Sequence, residues 1–257
     1  MTDGALLATR GLGRRFGALR AVDDVSIDVA AGSITGLIGP NGAGKTTLFN
    51  LLTGELRPDA GQVLLEGRDI TAQPPDARFR LGLARTFQIP RPFRRMSVLE
   101  NVMLAPAGQT GETIAGALLR PGRVRAEEAR LRSRAMEILD FMTLAPLADH
   151  PAGQLSGGQT KLLELARVLM GDPRVILLDE PAAGVNPALT RVLIERIEAL
   201  NRDGRTFLII EHDMDFIMRH CDPIIAMAEG RVVFRGSAAA AMADQGLIDA
   251  YLGTPAR

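Results

Sequence analysis

A glycine-rich loop near residue 40 has the residue types and the spacing of a site that holds phosphate groups. Residues 39–46 read Gly-Pro-Asn-Gly-Ala-Gly-Lys-Thr, after a strand pattern at 34–38 and before a helix pattern at 46–52. Glycines let backbone N–H groups turn toward an anion, Lys45 adds a cation, and the Thr46 hydroxyl suits Mg²⁺. A plain glycine turn does not explain the Lys-Thr pair at this offset. We predict nucleotide phosphate binding by Gly39, Pro40, Asn41, Gly42, Ala43, Gly44, Lys45, Thr46 and Thr47.

A pair of carboxylates closes an apolar run further along the chain. Residues 175–178 read Val-Ile-Leu-Leu, and Asp179 and Glu180 follow directly. Such a run is typical of a parallel strand buried on both faces, and α/β sheets bind ligands at the carboxyl ends of their strands. Alone, the pattern also fits a strand cap or an ion pair. With the phosphate loop, it predicts Asp179 as a Mg²⁺ partner and Glu180 as the general base for the attacking water.

The sequence Leu-Ser-Gly-Gly-Gln at 155–159 is rarer than either of these features. It lies just upstream of the acid-ended strand and opens a helix pattern. With this motif the chain resembles the ATP-binding-cassette ATPases over nearly its whole length. The resemblance implies that Ser156, Gly157, Gly158 and Gln159 bind the γ-phosphate of an ATP held by a second copy of the domain. A hydroxyl, close backbone approach and a helix N-terminus all suit an anion, whereas an N-cap alone does not explain Gly-Gly-Gln.

The resemblance assigns roles to three further residues. Gln88 matches the glutamine that contacts Mg²⁺ or the water and links the core to a helical subdomain. His212, in Glu-His-Asp after a strand pattern, matches the switch histidine at the γ-phosphate. Phe16 lies where the family stacks an aromatic ring on adenine, although a core phenylalanine is the alternative. At Asn186 the chain departs from the family, which commonly has Asp there, so coupling between two sites through Asn186 is an open question.

The fold expected from these patterns is α/β, with strand patterns at both ends of the chain and helical patterns between them. Residues 25–29 alternate as one strand, while helical segments are predicted at 98–104 and 126–142. The resemblance implies a P-loop NTPase fold with a RecA-like parallel sheet, an N-terminal antiparallel β subdomain and an inserted helical subdomain. We predict a single ABC ATPase domain over 1–257, in which 1–89 and 160–257 form the core and 90–159 form the helical part with the signature motif.

The stretches around Gln88 and His212 indicate a branch of the family. Residues 84–88, 93–102, 210–214 and 250–253 resemble the ATP-binding subunits of branched-chain amino-acid importers. Urea or amide importers and lipopolysaccharide-export motors share much of this pattern, so these remain alternatives. A soluble cassette ATPase of DNA repair or translation is disfavoured, because such proteins usually carry two cassettes or a long coiled-coil insertion, and this sequence has one cassette and no such insertion. A nucleotide-binding regulator that does not hydrolyse ATP is disfavoured, because the residues expected for hydrolysis are all present, namely Lys45, Asp179, Glu180 and His212.

Composition and charge narrow the class of protein. Basic and acidic residues both number 30, so no global charge favours nucleic acid, and the single cysteine fits a reducing compartment. No apolar run approaches the length of a membrane span, and no signal peptide is predicted. The resemblance implies ATP and Mg²⁺ as cofactors. As partners it implies a second ATPase subunit (identical or not), transmembrane permease subunits and, indirectly, a periplasmic binding protein, with the chain peripheral on the cytoplasmic face of the inner membrane.

Arginines are concentrated in the predicted helical part. We interpret residues 89–96, which follow Gln88, as a docking segment for a membrane subunit. The later arginines, between 120 and 134, are interpreted as a solvated face that pairs in part with Glu127 and Glu128.

Overall fold

The computed structural model of the chain describes residues 4–86, 91–106 and 108–247, with only the backbone described at 115–117. The strands in these ranges are β1 Ala5–Phe16, β2 Leu19–Val25, β3 Asp28–Ala30, β4 Ile34–Ile38, β5 Ala60–Leu65, β6 Arg68–Asp69, β7 Leu83–Arg85, β8 Val175–Asp179, β9 Thr206–Ile210, β10 Ile224–Ala228 and β11 Arg231–Gly236. The α-helices are α1 Lys45–Thr53, α2 Pro75–Arg80, α3 Val98–Met103, α4 Ile114–Leu119, α5 Pro121–Phe141, α6 Gly157–Leu169, α7 Pro187–Arg202, α8 Met214–His220 and α9 Ala238–Ala243. None of these helices combines the length and hydropathy that a bilayer-spanning segment needs.

A mostly parallel sheet carries the chemical motifs. Its strand order over the described residues is β11-β10-β4-β9-β8-β7, and β11 is the antiparallel member. Strands β8 and β9 are buried at every residue, which explains their continuous apolar sequences. Because β4, β9 and β8 are adjacent and parallel, their carboxyl ends meet at one edge. The phosphate loop, His212 and the acid pair follow these three strand ends in that order.

An antiparallel sheet forms from the N-terminal part of the chain, in the order β2-β1-β5-β6, with β3 also paired to β1. The prediction of a single strand at 25–29 is wrong, because the strand is interrupted between the end of β2 at Val25 and the start of β3 at Asp28. At the break the buried Thr9 hydroxyl donates to Val25 and accepts from the backbone N–H of Ile27. Strand β1 therefore changes partner at Thr9, and a period-two pattern cannot reveal that change.

The chain divides into two compact units, and the parallel and antiparallel sheets belong to the first. This unit comprises Met1–Gln88, Arg174–Ala182 and Ile197–Arg257. Its core includes fully buried apolar residues from both sheets and from helix α1, such as Leu12, Val63, Phe49 and Leu177. Helix α1 is thus fixed by packing along its length, and the phosphate loop precedes its first residue, Lys45.

The second unit is helical and comprises Ile89–Pro173 and Ala183–Arg196. Helices α3, α5 and α6 pack against one another in it. Its boundaries differ from the predicted 90–159, because α6 packs along its whole apolar face and the segment from Ala183 packs closely on Gly158. Helix α5 also begins at Pro121, five residues before the predicted start, since proline is well tolerated in the first turn.

Candidate functional site

The glycines of the phosphate loop are fixed by steric fit. Gly44 has a φ of 96°, and a Cβ placed there would collide with the carbonyl oxygen of Ala21. A Cβ on Gly39 would collide with the carbonyl oxygen of Met227. Helix α1 starts at Lys45 with no side-chain cap and no acidic residue in its first turn. The backbone N–H groups at this helix start therefore remain available for an anion, as phosphate binding requires.

Lys45 is folded back onto the loop that precedes it. Its side chain is 6% exposed, and Nζ donates to the carbonyl oxygens of Gly39, at 2.5 Å, and Pro40, at 3.1 Å. Burial lowers the pKa of the Lys45 ammonium, and the nearby carboxylates of Glu180 and Asp179 act in the opposite direction. The ammonium is held at the loop by neutral carbonyls, which an anionic phosphate would outcompete as a partner.

A cleft of about 420 Å³ opens around the loop, within the first unit. Its lining includes Phe16, Glu180 and His212. The remaining lining residues are Leu19, Ala21, Asn41, Gly42, Ala43, Gly44, Lys45, Thr46, Thr47 and Ile210. Phe16 is 45% exposed and is not a core residue, so its ring is open to a ligand. The guanidinium carbon of Arg14 lies 5.1 Å from its ring centroid.

Glu180 and His212, predicted as base and switch, are in contact. His212 Nε2 lies 2.9 Å from Glu180 Oε1. Glu180 has a φ of 49°, unusual for a residue with a side chain, and its N–H donates to Ile210 at the end of β9. This turn aims a carboxylate at the cleft directly after a buried strand. Such a carboxylate can accept a proton from water, and the imidazole beside it can fix its orientation.

Asp179, predicted as a Mg²⁺ partner, forms a buried ion pair. Its Oδ2 accepts from Arg85 Nη2 at 2.7 Å, with both side chains less than a tenth exposed. Arg85 Nη1 also donates to Asn50 in α1, and the guanidinium lies over the Phe49 ring. The pair therefore ties the ends of β7 and β8 to the helix that follows the phosphate loop.

The oxygen donors at this edge fit a Mg²⁺ ion bound with nucleotide. Thr46 offers a hydroxyl and Asp179 a carboxylate, and Mg²⁺ typically takes one or two protein oxygens together with phosphates and water. No group of three metal-ligating side chains occurs among the described residues.

Local structure accounts for Ser156, Gly158 and Gln159 of the signature but not for Gly157, so our interpretation that capping leaves Gly-Gly-Gln unexplained holds only in part. Ser156 and Gln159 form a capping box at the start of α6, each side chain bonding the other's backbone N–H. A Cβ on Gly158 would lie 2.6 Å from Leu189 Cδ1, so tight packing explains that glycine. At Gly157 the nearest neighbour is 3.9 Å away. Ser156 and Gly157 are exposed, so the helix start is open to solvent.

Asn186 acts as a helix cap. Its Oδ1 accepts from the backbone N–H of Leu189 at 2.9 Å, in the first turn of α7. An Asp would make the same bond, so local structure does not account for the departure from the family pattern. Gln88, predicted at the metal and the water, lies outside the described residues, as do residues 250–253; the predicted docking segment 89–96 is described only from residue 91.

Sequence reasoning missed two residues that shape the site. One is Arg85, which was quoted only as part of the run 84–88. The other is Glu211, which is 4% exposed and accepts from the backbone N–H groups of Ala182 and His212. A charged residue at the end of an apolar strand pattern was the available signal in both cases.

Comparisons with known proteins identify the family. Residues 22–183 match the sequence model of a family described as ABC transporter. A probable branched-chain amino acid transport ATP-binding protein, LivG of Archaeoglobus fulgidus, is 44% identical over 96% of this chain and 95% of its own length. The high-affinity branched-chain amino acid transport ATP-binding protein LivG of Escherichia coli is 39% identical over 96% and 98%. The crystal structure of an ABC-transporter ATP-binding cassette in its ADP conformation is 36% identical, with a TM-score of 0.82 over 97% of this chain and 99% of that chain.

These similarities extend along almost the whole chain and include the loop at 39–46, the signature and the acid pair. The expected fold class is confirmed by the cassette structures and by the two sheets and helical unit described above. The chain therefore belongs to the ABC transporter family, as a nucleotide-binding, ATP-hydrolysing cassette.

Proposed function

We propose that this chain drives the import of branched-chain amino acids, hydrolysing ATP on behalf of permease subunits in the membrane. The observation that carries the catalytic part is the single cleft that Lys45, Glu180, His212 and the exposed ring of Phe16 line together. The proposed identity of the solute rests on the LivG relatives, whose names specify branched-chain amino acid transport. Urea or amide import and lipopolysaccharide export are the alternatives, with the same chemistry and another membrane partner.

The residues of the first unit perform the chemical step. The adenine stacks on Phe16, the backbone of the loop holds the phosphates, and Lys45 exchanges its carbonyl partners for phosphate oxygens. Glu180 accepts a proton from the water that attacks the γ-phosphorus, and His212 orients this carboxylate and contacts the γ-phosphate. Thr46 and Asp179, together with Gln88 as the family resemblance implies, would hold Mg²⁺, which would neutralise charge on the phosphates.

The signature residues act on a second copy. Ser156, Gly157, Gly158 and Gln159 lie at the start of α6 and carry no charge, so they contribute N–H groups, a hydroxyl and helix dipole to a phosphate held elsewhere. Two cassettes in head-to-tail orientation, identical or not, would each complete the other's site. Hydrolysis removes the bridging phosphate and the two copies separate, which changes the contact with the permease.

Glu180→Gln tests the catalytic assignment. The variant keeps the size and polarity of the side chain but cannot accept the proton. We expect nucleotide binding to persist, a closed dimer to accumulate, and turnover to fall by about 10²–10⁴-fold. Glu66→Gln, at an exposed glutamate of the same unit, is the matched control and should leave turnover unchanged. Unchanged turnover in Glu180→Gln would overturn the assignment.

Reconstitution tests the transport assignment. The chain is combined with candidate permeases in vesicles and ATP hydrolysis is measured with leucine, isoleucine and valine, or with urea, and a binding protein for each. Stimulation by the branched-chain solutes supports the proposal. Stimulation by urea alone, or only by a lipopolysaccharide-exporting permease, would replace it. The same preparations test the proposed position on the cytoplasmic face. The chain should be removable only from the side of the vesicle on which the cytoplasmic loops of the permease lie.

A further inference from the structure

One surface of the helical unit has no role in nucleotide chemistry. It consists of the exposed side chains of α4 and of the first turns of α5, and we call it the basic-apolar surface: Ile114, Leu118, Leu119, Arg120, Arg123 and Arg125. All six residues lie within twelve consecutive positions of the chain, 114–125. Leu119, Arg120 and Arg123 also line one shallow cleft, together with the segment around Thr110. Apolar and basic side chains therefore share this surface.

The apolar part is unusually exposed. Ile114, Leu118 and Leu119 have 81%, 74% and 79% of their surface accessible, the highest values among the exposed large apolar residues of the described chain. Single exposed apolar residues are common and need no explanation. Three of them on a six-residue helix are a cluster, which marks an interaction site more often than it marks ordinary surface.

The basic part is a local excess on a chain with no net charge. Residues 114–134 contain six arginines and two glutamates, a formal charge of +4, whereas the whole chain has a net charge of zero. All six arginines are exposed. The charges of Arg123 and Arg130 act on Glu127, in line with our interpretation that Glu127 and Glu128 pair with part of these arginines. Oε2 of Glu127 also accepts from the backbone N–H of Thr110, which holds the segment before α4 against α5 and lowers the pKa of Glu127.

These arginines do little for the fold. Arg134 has an exposed ion pair with Glu137, and within the described ranges no carboxylate lies at ion-pair distance from the other five. Helix α5 has no acidic residue in its first turn, and Arg120, Arg123 and Arg125 stand at its positive end. Cations at a helix N-terminus oppose the helix dipole and cost stability. A charge arrangement that is unfavourable for the helix is consistent with binding an external anion.

We propose that the basic-apolar surface binds the anionic headgroup layer of a phospholipid bilayer directly, with Ile114, Leu118 and Leu119 entering the interface. A cationic face beside exposed Leu and Ile side chains is the composition of segments that lie on a membrane surface. Clustered Lys and Arg side chains are attracted by the negative surface potential of anionic lipids, and this charge complementarity is the argument for lipid as the occupant. The contact goes beyond the proposed function, because it involves lipid and needs neither permease nor ATP.

Vesicle flotation with the purified full-length chain tests this proposal. Wild type should float with vesicles that contain phosphatidylglycerol, should stay unbound with phosphatidylcholine alone, and should be released by salt. Replacing Arg120, Arg123 and Arg125 together by Gln should weaken partitioning about a hundredfold, since each charge contributes roughly fivefold. Replacing Ile114, Leu118 and Leu119 together by Ser should weaken it at least about tenfold.

The controls separate lipid binding from folding and from permease binding. Val233→Ser with Met242→Ser removes two exposed apolar side chains of the other unit and should leave flotation unchanged. All variants should keep the basal ATP hydrolysis of wild type. None should melt below wild type, and the arginine variant should melt at the same or a slightly higher temperature, because it removes cations from the start of α5. Flotation that ignores lipid charge, or survives both triple replacements, overturns the proposal. It is equally overturned if the triple variants float normally but no longer co-purify with permease in detergent, since the surface would then bind protein.

Discussion

The acid pair in the first unit and the signature in the second are both short motifs, yet the structure holds them by different means. Asp179 and Glu180 are fixed by partners that are distant in sequence, namely Arg85, Ile210 and His212. In the signature, Ser156 and Gln159 hold each other through a capping box, and only Gly158 has distant partners, Leu189 and Val185. The first unit thus presents buried, oriented charges, while the second presents an uncharged, open helix start. We therefore propose that the charged groups of a site come from one chain, and that the signature of a second copy completes the site.

The largest effect is expected from a substitution that removes the ion pair between Arg85 and Asp179. Arg85→Leu leaves Asp179 buried without its cation and should destabilise the protein by about 3–5 kcal/mol. Arg174→Leu removes an ion pair with Glu66 whose side chains are about half exposed, and should cost about 0–1 kcal/mol. Urea unfolding of both variants measures the difference. Equal losses would show that Arg85 is not needed to hold the buried carboxylate.

The next effect concerns the two signature glycines. Gly158→Ala forces a methyl group against Leu189 and Val185 and should cost about 1–3 kcal/mol. Gly157→Ala has room for its methyl group and should be neutral or slightly stabilising, because alanine loses less entropy on folding. Thermal melting ranks the two. The reverse order would mean that Gly157, and not Gly158, is the packed residue.

A smaller effect separates capping from phosphate binding at Ser156. Ser156→Ala removes the cap and should cost about 1 kcal/mol. Ser156→Asp keeps a capping oxygen but adds a negative charge where a phosphate is expected, so stability should be retained while ATP turnover falls. Melting and steady-state hydrolysis are measured on both variants. Full turnover in Ser156→Asp would contradict a phosphate at this helix start.

The smallest effect is expected at Asn186. Asn186→Asp keeps the hydrogen bond to Leu189 N–H and places a negative charge at the positive end of α7. It should therefore stabilise the protein by about 0.3–1 kcal/mol, and high salt should reduce the gain. Urea unfolding at two salt concentrations checks this. A destabilised variant would show that Asn186 donates a bond that Asp cannot make.

Sequence patterns predicted the parts of the site that follow local rules. The phosphate loop, the buried strand before Asp179 and the helix start at Ser156 each have short-range signatures, and the structure has a strand, loop or helix at those places. The contact of Glu180 with His212 was implicit in the adjacency of β8 and β9. The Arg85–Asp179 pair, in contrast, depends on β7 lying at the edge beside β8, which no local pattern encodes.

The same distinction applies to the fold. The interruption between β2 and β3 depends on the side chain of Thr9 in β1, and the boundary of the helical unit depends on how Gly158 packs. Periodicity within a segment could predict neither the interruption nor the boundary. The two residues that sequence analysis missed, Arg85 and Glu211, both have bonding partners that are distant in sequence, Asp179 and Ala182.

Mixing two inactive variants tests most directly whether the two regions act together across copies. Lys45→Ala disables the phosphate loop, and Gly157→Glu places a negative charge at the signature, at a position with space for a side chain. Neither variant alone should hydrolyse ATP. In a mixed dimer, one site combines both defects and the other combines an intact loop with an intact signature, so we predict that ATP hydrolysis reappears on mixing. If the mixture is as inactive as its components, although mixed dimers form, the signature does not complete a partner's site and the account is contradicted.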